Sequence, residues 1–227
     1  MSDKRIIISI DTETAGLYAS TNPILQIGMG IYELDAETLQ YETLSEGEWN
    51  FKPSQFTDKI IDPHAVEEVN HLNLEELEKT GLLVSEVEEK MTAILAEHTN
   101  KGFWTTVIGH NFRFDKKFIQ VYMKDFYRHQ LDSFRFDDTI QLIDLLYEAS
   151  GLEPDKWPTR KLNKVCEILG VTNDNAHTAL SDAKATFLVY VGIRKKLREV
   201  GCAMQAIRYS KASVNTVTQC AESLNFK

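Results

Sequence analysis

The run Ile8-Ser9-Ile10-Asp11-Thr12-Glu13-Thr14-Ala15-Gly16 is apolar and β-branched until it ends abruptly in acid. With Arg5-Ile6-Ile7 ahead of it, the pattern predicts a strand over 5–10 that enters an acidic, glycine-punctuated segment. In extended backbone, positions i and i+2 project from the same face, so Asp11 and Glu13 stand side by side at the end of a buried strand. Carboxylates that close repel one another and want a proton, a cation or open solvent. A hard divalent ion, Mg2+ or Mn2+, takes carboxylate oxygens and keeps positions free for phosphate and water. Acidic pairs at strand ends are also common as solvated turns, so the metal reading needs more carboxylates to converge.

Working outward, residues 24–34 mix alternation with Gly28 and Gly30 and read as the second strand of a hairpin; 48–52 and 103–108 read as further strands. Ser85 and Glu88 have capping-box spacing ahead of the stripe Val87, Met91, Ile94 and Leu95, which predicts a helix to about residue 98. Another helix starts at Asp138 or Thr139, with Leu142, Ile143, Leu145 and Leu146 inward and Gly151 past its end, and a third spans 160–169 before Gly170. The last covers 178–200, with Arg194, Lys195, Lys196 and Arg198 complementing the dipole ahead of Gly201. Strands first, with helices mixed through the rest, make the class α/β.

Two later segments offer more acids. Gly109-His110-Asn111-Phe112-Arg113-Phe114-Asp115 places Asp115 at a loop-to-helix junction, where an ordinary N-cap is the competing role. His177-Thr178-Ala179-Leu180-Ser181-Asp182-Ala183 puts an imidazole five positions before an acid at the start of the last helix; there an acid also complements the macrodipole.

The chain has 227 residues, enough for one core, and its 43% apolar and 26% charged content excludes disordered, collagen-like and disulfide-stapled classes. Cys166, Cys202 and Cys220 form no CxxC pair and no zinc spacing, and Cys166 falls on an apolar helical face as a core residue. No apolar run approaches the roughly 18 residues of a membrane span, and Asp11 interrupts any export signal. A soluble cytoplasmic protein without a membrane partner is expected. A formal charge of −9 argues against holding nucleic acid on a broad basic surface. Locally, however, 110–130 carries Arg113, Lys116, Lys117, Lys124 and Arg128 against Asp115 and Asp125, a net +3. Acid gathers instead over 67–89, where eight glutamates oppose Lys79 as a solvated helical surface or a partner-binding face.

Taken in order, Asp-Thr-Glu-Thr at 11–14, His-Asn-x-x-Phe-Asp at 110–115 and His-x-Ala-x-x-Asp-Ala at 177–183 resemble the DnaQ-like or DEDDh exonucleases. The resemblance runs from about residue 5 to 192. It implies a ribonuclease H-like fold, a mixed central sheet flanked by helices, and hydrolytic removal of nucleotides from 3′ ends. An exonuclease domain over 1–200 and a tail over 201–227 of unknown role are expected. By the same resemblance Asp11, Glu13, Asp115 and Asp182 bind two divalent cations, Mg2+ or Mn2+, with Asp11 bridging them, and His177 is the general base. Two cations roughly 3.5 to 4 Å apart stabilise both the attacking and the leaving oxygen of an in-line displacement. Thr12, Thr14, Gly16 and Leu17 are expected to approach the terminal sugar, and Asn111 and Phe114 to shape the pocket; Phe114 either stacks on a base or packs in the core.

The expected substrate is a nucleic-acid 3′ end, single-stranded or frayed DNA ahead of RNA, with 5′-mononucleotides as products. An exoribonuclease is the near alternative. A noncatalytic, polymerase-associated binding module is the distant one, and the five matching polar residues argue against it. A polymerase or replication partner and the oligomeric state are left open by the sequence.

Overall fold

The computed structural model describes residues 4–99, 104–153, 156–173 and 177–210, with side chains of the last helix through Ala203. Five strands form one sheet in the order β3-β2-β1-β4-β5: β1 (Lys4–Thr14), β2 (Ile24–Asp35), β3 (Tyr41–Asn50), β4 (Trp104–Gly109) and β5 (Arg135–Asp138). β1, β2 and β3 are antiparallel, whereas β4 and β5 run parallel to β1. This is the expected mixed sheet of the ribonuclease H-like fold. The chain leaves β1 toward one edge and returns at β4 to build the other, so the carboxyl ends of β1 and β4 flank a topological switch point, where open α/β sheets bind ligands.

Both faces of β1 are covered. Ile6, Ile8 and Ile10 pack with Val87, Met91 and Leu95 of α2 (Val84–Thr99), which follows the short α1 (Leu74–Thr80), and with Phe118 and Ile119 of α3 (Phe112–Tyr122). Ile7, on the opposite face, packs with Phe187, Tyr190 and Val191 of α7 (Ala179–Ser210). A strand buried on both sides has no alternating polarity, which is why 5–10 reads as a continuous apolar run. Outside the sheet, α4 (Lys124–Phe126) runs into a π-helical turn, Tyr127–Leu131, and α5 (Thr139–Ala149) and α6 (Leu162–Leu169) pack against α7 through Ile143, Leu146, Val165 and Val189. Cys166 lies in that cluster, where burial pushes its thiol up to about 11.

Several local expectations are corrected. The third strand begins at Tyr41, well before residue 48, because it pairs along β2 from Leu34 to Gln26 despite its polar sequence. Ser85 does not cap α2: the helix starts at Val84, and Glu86 rather than Glu88 reaches back to the Leu83 N–H at 2.7 Å. Leu145 is 49% exposed on the outer face of α5. α7 runs through Gly201 to Ser210, and a mid-helix glycine costs only about 1 kcal/mol. The Cys220 position and most of the tail lie outside the described residues.

Candidate active site

Strand parity sets the site. Asp11 and Glu13 share the face of Ile7 and Ser9, toward α7, whereas Thr12 faces α3. On β2, Gly28 sits opposite Asp11, and a Cβ there would come within 2.2 Å of the Ala179 backbone. The missing side chain thus lets the first turn of α7 lie directly on the sheet. Three bonds hold it there: Ala179 N–H to Gln26 Oε1 at 2.8 Å, Leu180 N–H to Glu48 Oε2 at 2.9 Å, and Ser9 Oγ to the Ala183 carbonyl at 2.6 Å. Asp182, one turn into the helix, arrives beside the strand acids. One oxygen from each of Asp11, Glu13 and Asp182 lies within 4.8 Å of the other two.

Asp115 enters from the other side. The parallel pairing of β1 with β4 ends at Ser9, leaving the next part of β1 without that neighbour. Thr12 N–H donates to Asp115 Oδ1 at 2.9 Å and the Thr12 hydroxyl donates to the same oxygen at 2.7 Å. Asp115 is the fourth residue of α3 and 3% exposed; the N-cap is Asn111, in left-handed backbone with φ 62°. The capping role for Asp115 is therefore corrected: its carboxylate ties the helix to β1.

His177 is exposed, at φ 75°, and its N–H points to Asp182 Oδ2 at 3.4 Å. Asp182 Oδ1 accepts from Asn173 Nδ2 at 2.7 Å. Thr14 is buried, with its hydroxyl on the Gly16 carbonyl at 2.7 Å. Gly16, at φ 150°, lies so close to the Asn22 amide that a Cβ would meet it at 2.5 Å. Leu17, beside it, is 72% exposed at the mouth of the hairpin. Asn111 is exposed and donates its N–H to Asp138 Oδ1, and half-buried Phe114 packs on Phe118 with ring centroids 4.9 Å apart. Gln26, Gly28, Glu48 and Asn173 went unmarked as site residues; only the glycine in a strand pattern was a usable signal.

Burial, joined by the charges of Asp115, Glu13 and Asp182, holds the Asp11 carboxyl well above the usual carboxylate range. Burial and then Asp182, Asp115 and Glu48 push Glu13 up to about 8. Burial also raises Asp115 to about 7 against the opposing pull of the Thr12 bonds. Such acids resist ionising without a counter-charge, and a cluster of hard oxygens fits divalent cations.

A stability prediction follows. The folded chain keeps protons on these groups that the unfolded chain releases near pH 4, so metal-free stability falls as pH rises from there through about 8. Saturating Mn2+ relieves this, and each kcal/mol is worth about 2–4 °C at this size. Thermal melts should show Mn2+ raising Tm by about 5 °C or more at pH 8 and by under about 2 °C at pH 4.5, relative to EDTA.

Residues 8–190 match the family model RNase_T, described as Exonuclease. The chain belongs to the exonuclease family. As an exonuclease it is a 3′–5′ phosphodiester hydrolase of the DnaQ-like group, as the three motifs implied. It is 25% identical over 206 residues to a ribonuclease T of Blochmanniella pennsylvanica, covering 86% of each chain. It is also 25% identical over 200 residues to a ribonuclease T of Marinobacter nauticus, covering 86% of this chain and 84% of that one. In fold, this exonuclease is similar to E. coli exonuclease I in complex with a dT13 oligonucleotide, with a TM-score of 0.67 at 17% identity over 90% of its length. It spans 44% of that chain. Among the described residues no helix is long and apolar enough to cross a membrane.

Proposed function

We propose that this exonuclease removes 5′-mononucleotides from single-stranded or frayed 3′ ends, with Asp11, Glu13, Asp115 and Asp182 as ligands for two divalent cations and His177 as general base. The observation that carries the reading is the approach of Asp11, Glu13 and Asp182 to within 4.8 Å while burial disfavours charge on Asp11 and Glu13. Bound cations would neutralise the carboxylates and the charge that develops on the scissile phosphate.

The chain's own groups do the rest. Thr12 holds Asp115 by two hydrogen bonds, so that one oxygen is fixed and the other stays available. Asn173 orients Asp182 through one hydrogen bond, to Oδ1. His177 accepts the proton of the attacking water, and its exposure lets it reach that water from the solvent side. The leaving 3′ oxygen stays on the shortened strand. Gly16 and exposed Leu17 edge the site where the terminal nucleoside sits, and Arg113 and Lys117, both exposed on α3, attract the strand. A net charge of −9 suits brief, local engagement of an end; two bound divalent ions bring it to −5.

DNA is the proposed substrate, in line with the exonuclease I fold seen with dT13; the likeness to ribonuclease T favours RNA as the second reading. Contact with the 2′-hydroxyl decides between them. Matched DNA and RNA oligomers of one sequence, digested under the same metal and salt, should show DNA shortened at least about tenfold faster, equivalent to about 1.4 kcal/mol of discrimination. Faster loss of RNA would replace the DNA assignment with the exoribonuclease.

A further inference from the structure

His177 is weakly held for a general base. It sits in left-handed backbone, and its N–H reaches Asp182 Oδ2 only at 3.4 Å. Among the described residues its imidazole meets one other ring: the centroid of His71 lies 6.1 Å away with the planes at 86°, an edge-to-face contact of the kind aromatic quadrupoles favour.

His71, in contrast, is fixed from several directions. Its Nδ1 lies 2.8 Å from the Glu67 carbonyl oxygen, and since a carbonyl only accepts, the proton is on Nδ1. Its neighbour Asn70 is buried and donates Nδ2–H to the Thr14 carbonyl at 2.8 Å, at the end of the strand that carries Asp11 and Glu13. The Asn70 N–H goes to Ala65 and the Leu72 N–H to Val66, closing the π-helical turn His64–Val69 beneath it. His71 itself takes φ 53°, a left-handed conformation uncommon outside glycine. A stiff bracket therefore rises from the metal-ligand strand and ends in a ring against the base.

We propose that His71 is a positioning residue for His177, setting the imidazole over the carboxylate cluster through ring contact and not by touching the substrate. The proposal rests on the reading of His177 as the base. Misplacing a catalytic group by about 1 Å costs up to about a hundredfold. Two variants separate the ring from the backbone: His71→Gly keeps the left-handed turn without a ring, and His71→Phe restores a ring at some cost in stability.

Steady-state digestion of a single-stranded DNA oligomer with Mn2+ gives the test. His71→Gly should lower kcat about tenfold with KM within about twofold, His71→Phe should recover most of the loss, and His71→Gly added to His177→Asn should change nothing further. An unchanged kcat in His71→Gly, a loss confined to KM, no recovery in His71→Phe, or an equal loss on the His177→Asn background would overturn the positioning role while leaving the base in place. Full activity in His177→Asn alone would overturn the base, and the positioning role with it.

Discussion

Replacing Asp11 with Asn should lower mononucleotide release about a thousandfold or more while leaving a folded protein. Asp11 is the member of the acidic group that Asp115, Glu13 and Asp182 all act upon. An amide keeps its shape but loses the charge that holds a cation. Cation stabilisation of the transferring phosphoryl group amounts to several kcal/mol, and about 4 kcal/mol corresponds to about a thousandfold in rate. The same substitution removes a buried carboxyl that the metal-free fold must keep protonated, so above about pH 4 and without metal the variant should melt at or above the wild-type temperature. Release rates and melts in EDTA, measured together, check both halves. A variant that is inactive because it is unfolded would not support the role.

Substituting His177 with Asn should cost about a hundredfold to a thousandfold in kcat, within the usual contribution of general base catalysis. Asn is chosen because it tolerates the left-handed backbone at φ 75°, where Ala would add strain. The side chain is exposed and outside the core clusters, so Tm should stay within about 2 °C, since surface substitutions away from special features fall within about 0.5 kcal/mol. An unchanged kcat would assign the proton transfer to another group.

Much of this was legible because burial and spacing leave marks. The run into Asp11 and Glu13 was readable as a strand with two acids on one face, and β1 has that form. The order of motifs gave the family. What stayed hidden was long-range. Nothing local says that Glu48 caps α7, that Gln26 accepts from Ala179, or that Thr12 holds Asp115 across 103 positions of chain. The acidic segment 67–89 also resisted reading by composition. Glu78 accepts from Ser54, Glu86 caps α2 and Glu88 accepts from Phe126, so part of that charge serves as hydrogen-bond anchors. The third strand was cut short because its register is set by β2 and its own sequence, Tyr-Glu-Thr-Leu-Ser-Glu-Gly-Glu, is too polar to announce an edge strand. The cap of α2 was placed two residues late because Ser85 has the side chain of a cap, whereas the helix begins at Val84 and Glu86 reaches back to the Leu83 N–H.

On the proposed mechanism Asp11, Glu13, Asp115 and Asp182 would hold two divalent cations that support hydrolysis of a strand from its 3′ end. This is tested by digesting a 5′-labelled single-stranded DNA oligomer with the wild-type chain and with Asp11→Asn, across a Mn2+ titration that starts from EDTA. The expected result is a ladder shortening one nucleotide at a time in the wild type, appearing only as metal is added, and absent in the variant. Cleavage in EDTA, internal cuts without a ladder, or an undiminished ladder from Asp11→Asn would contradict it.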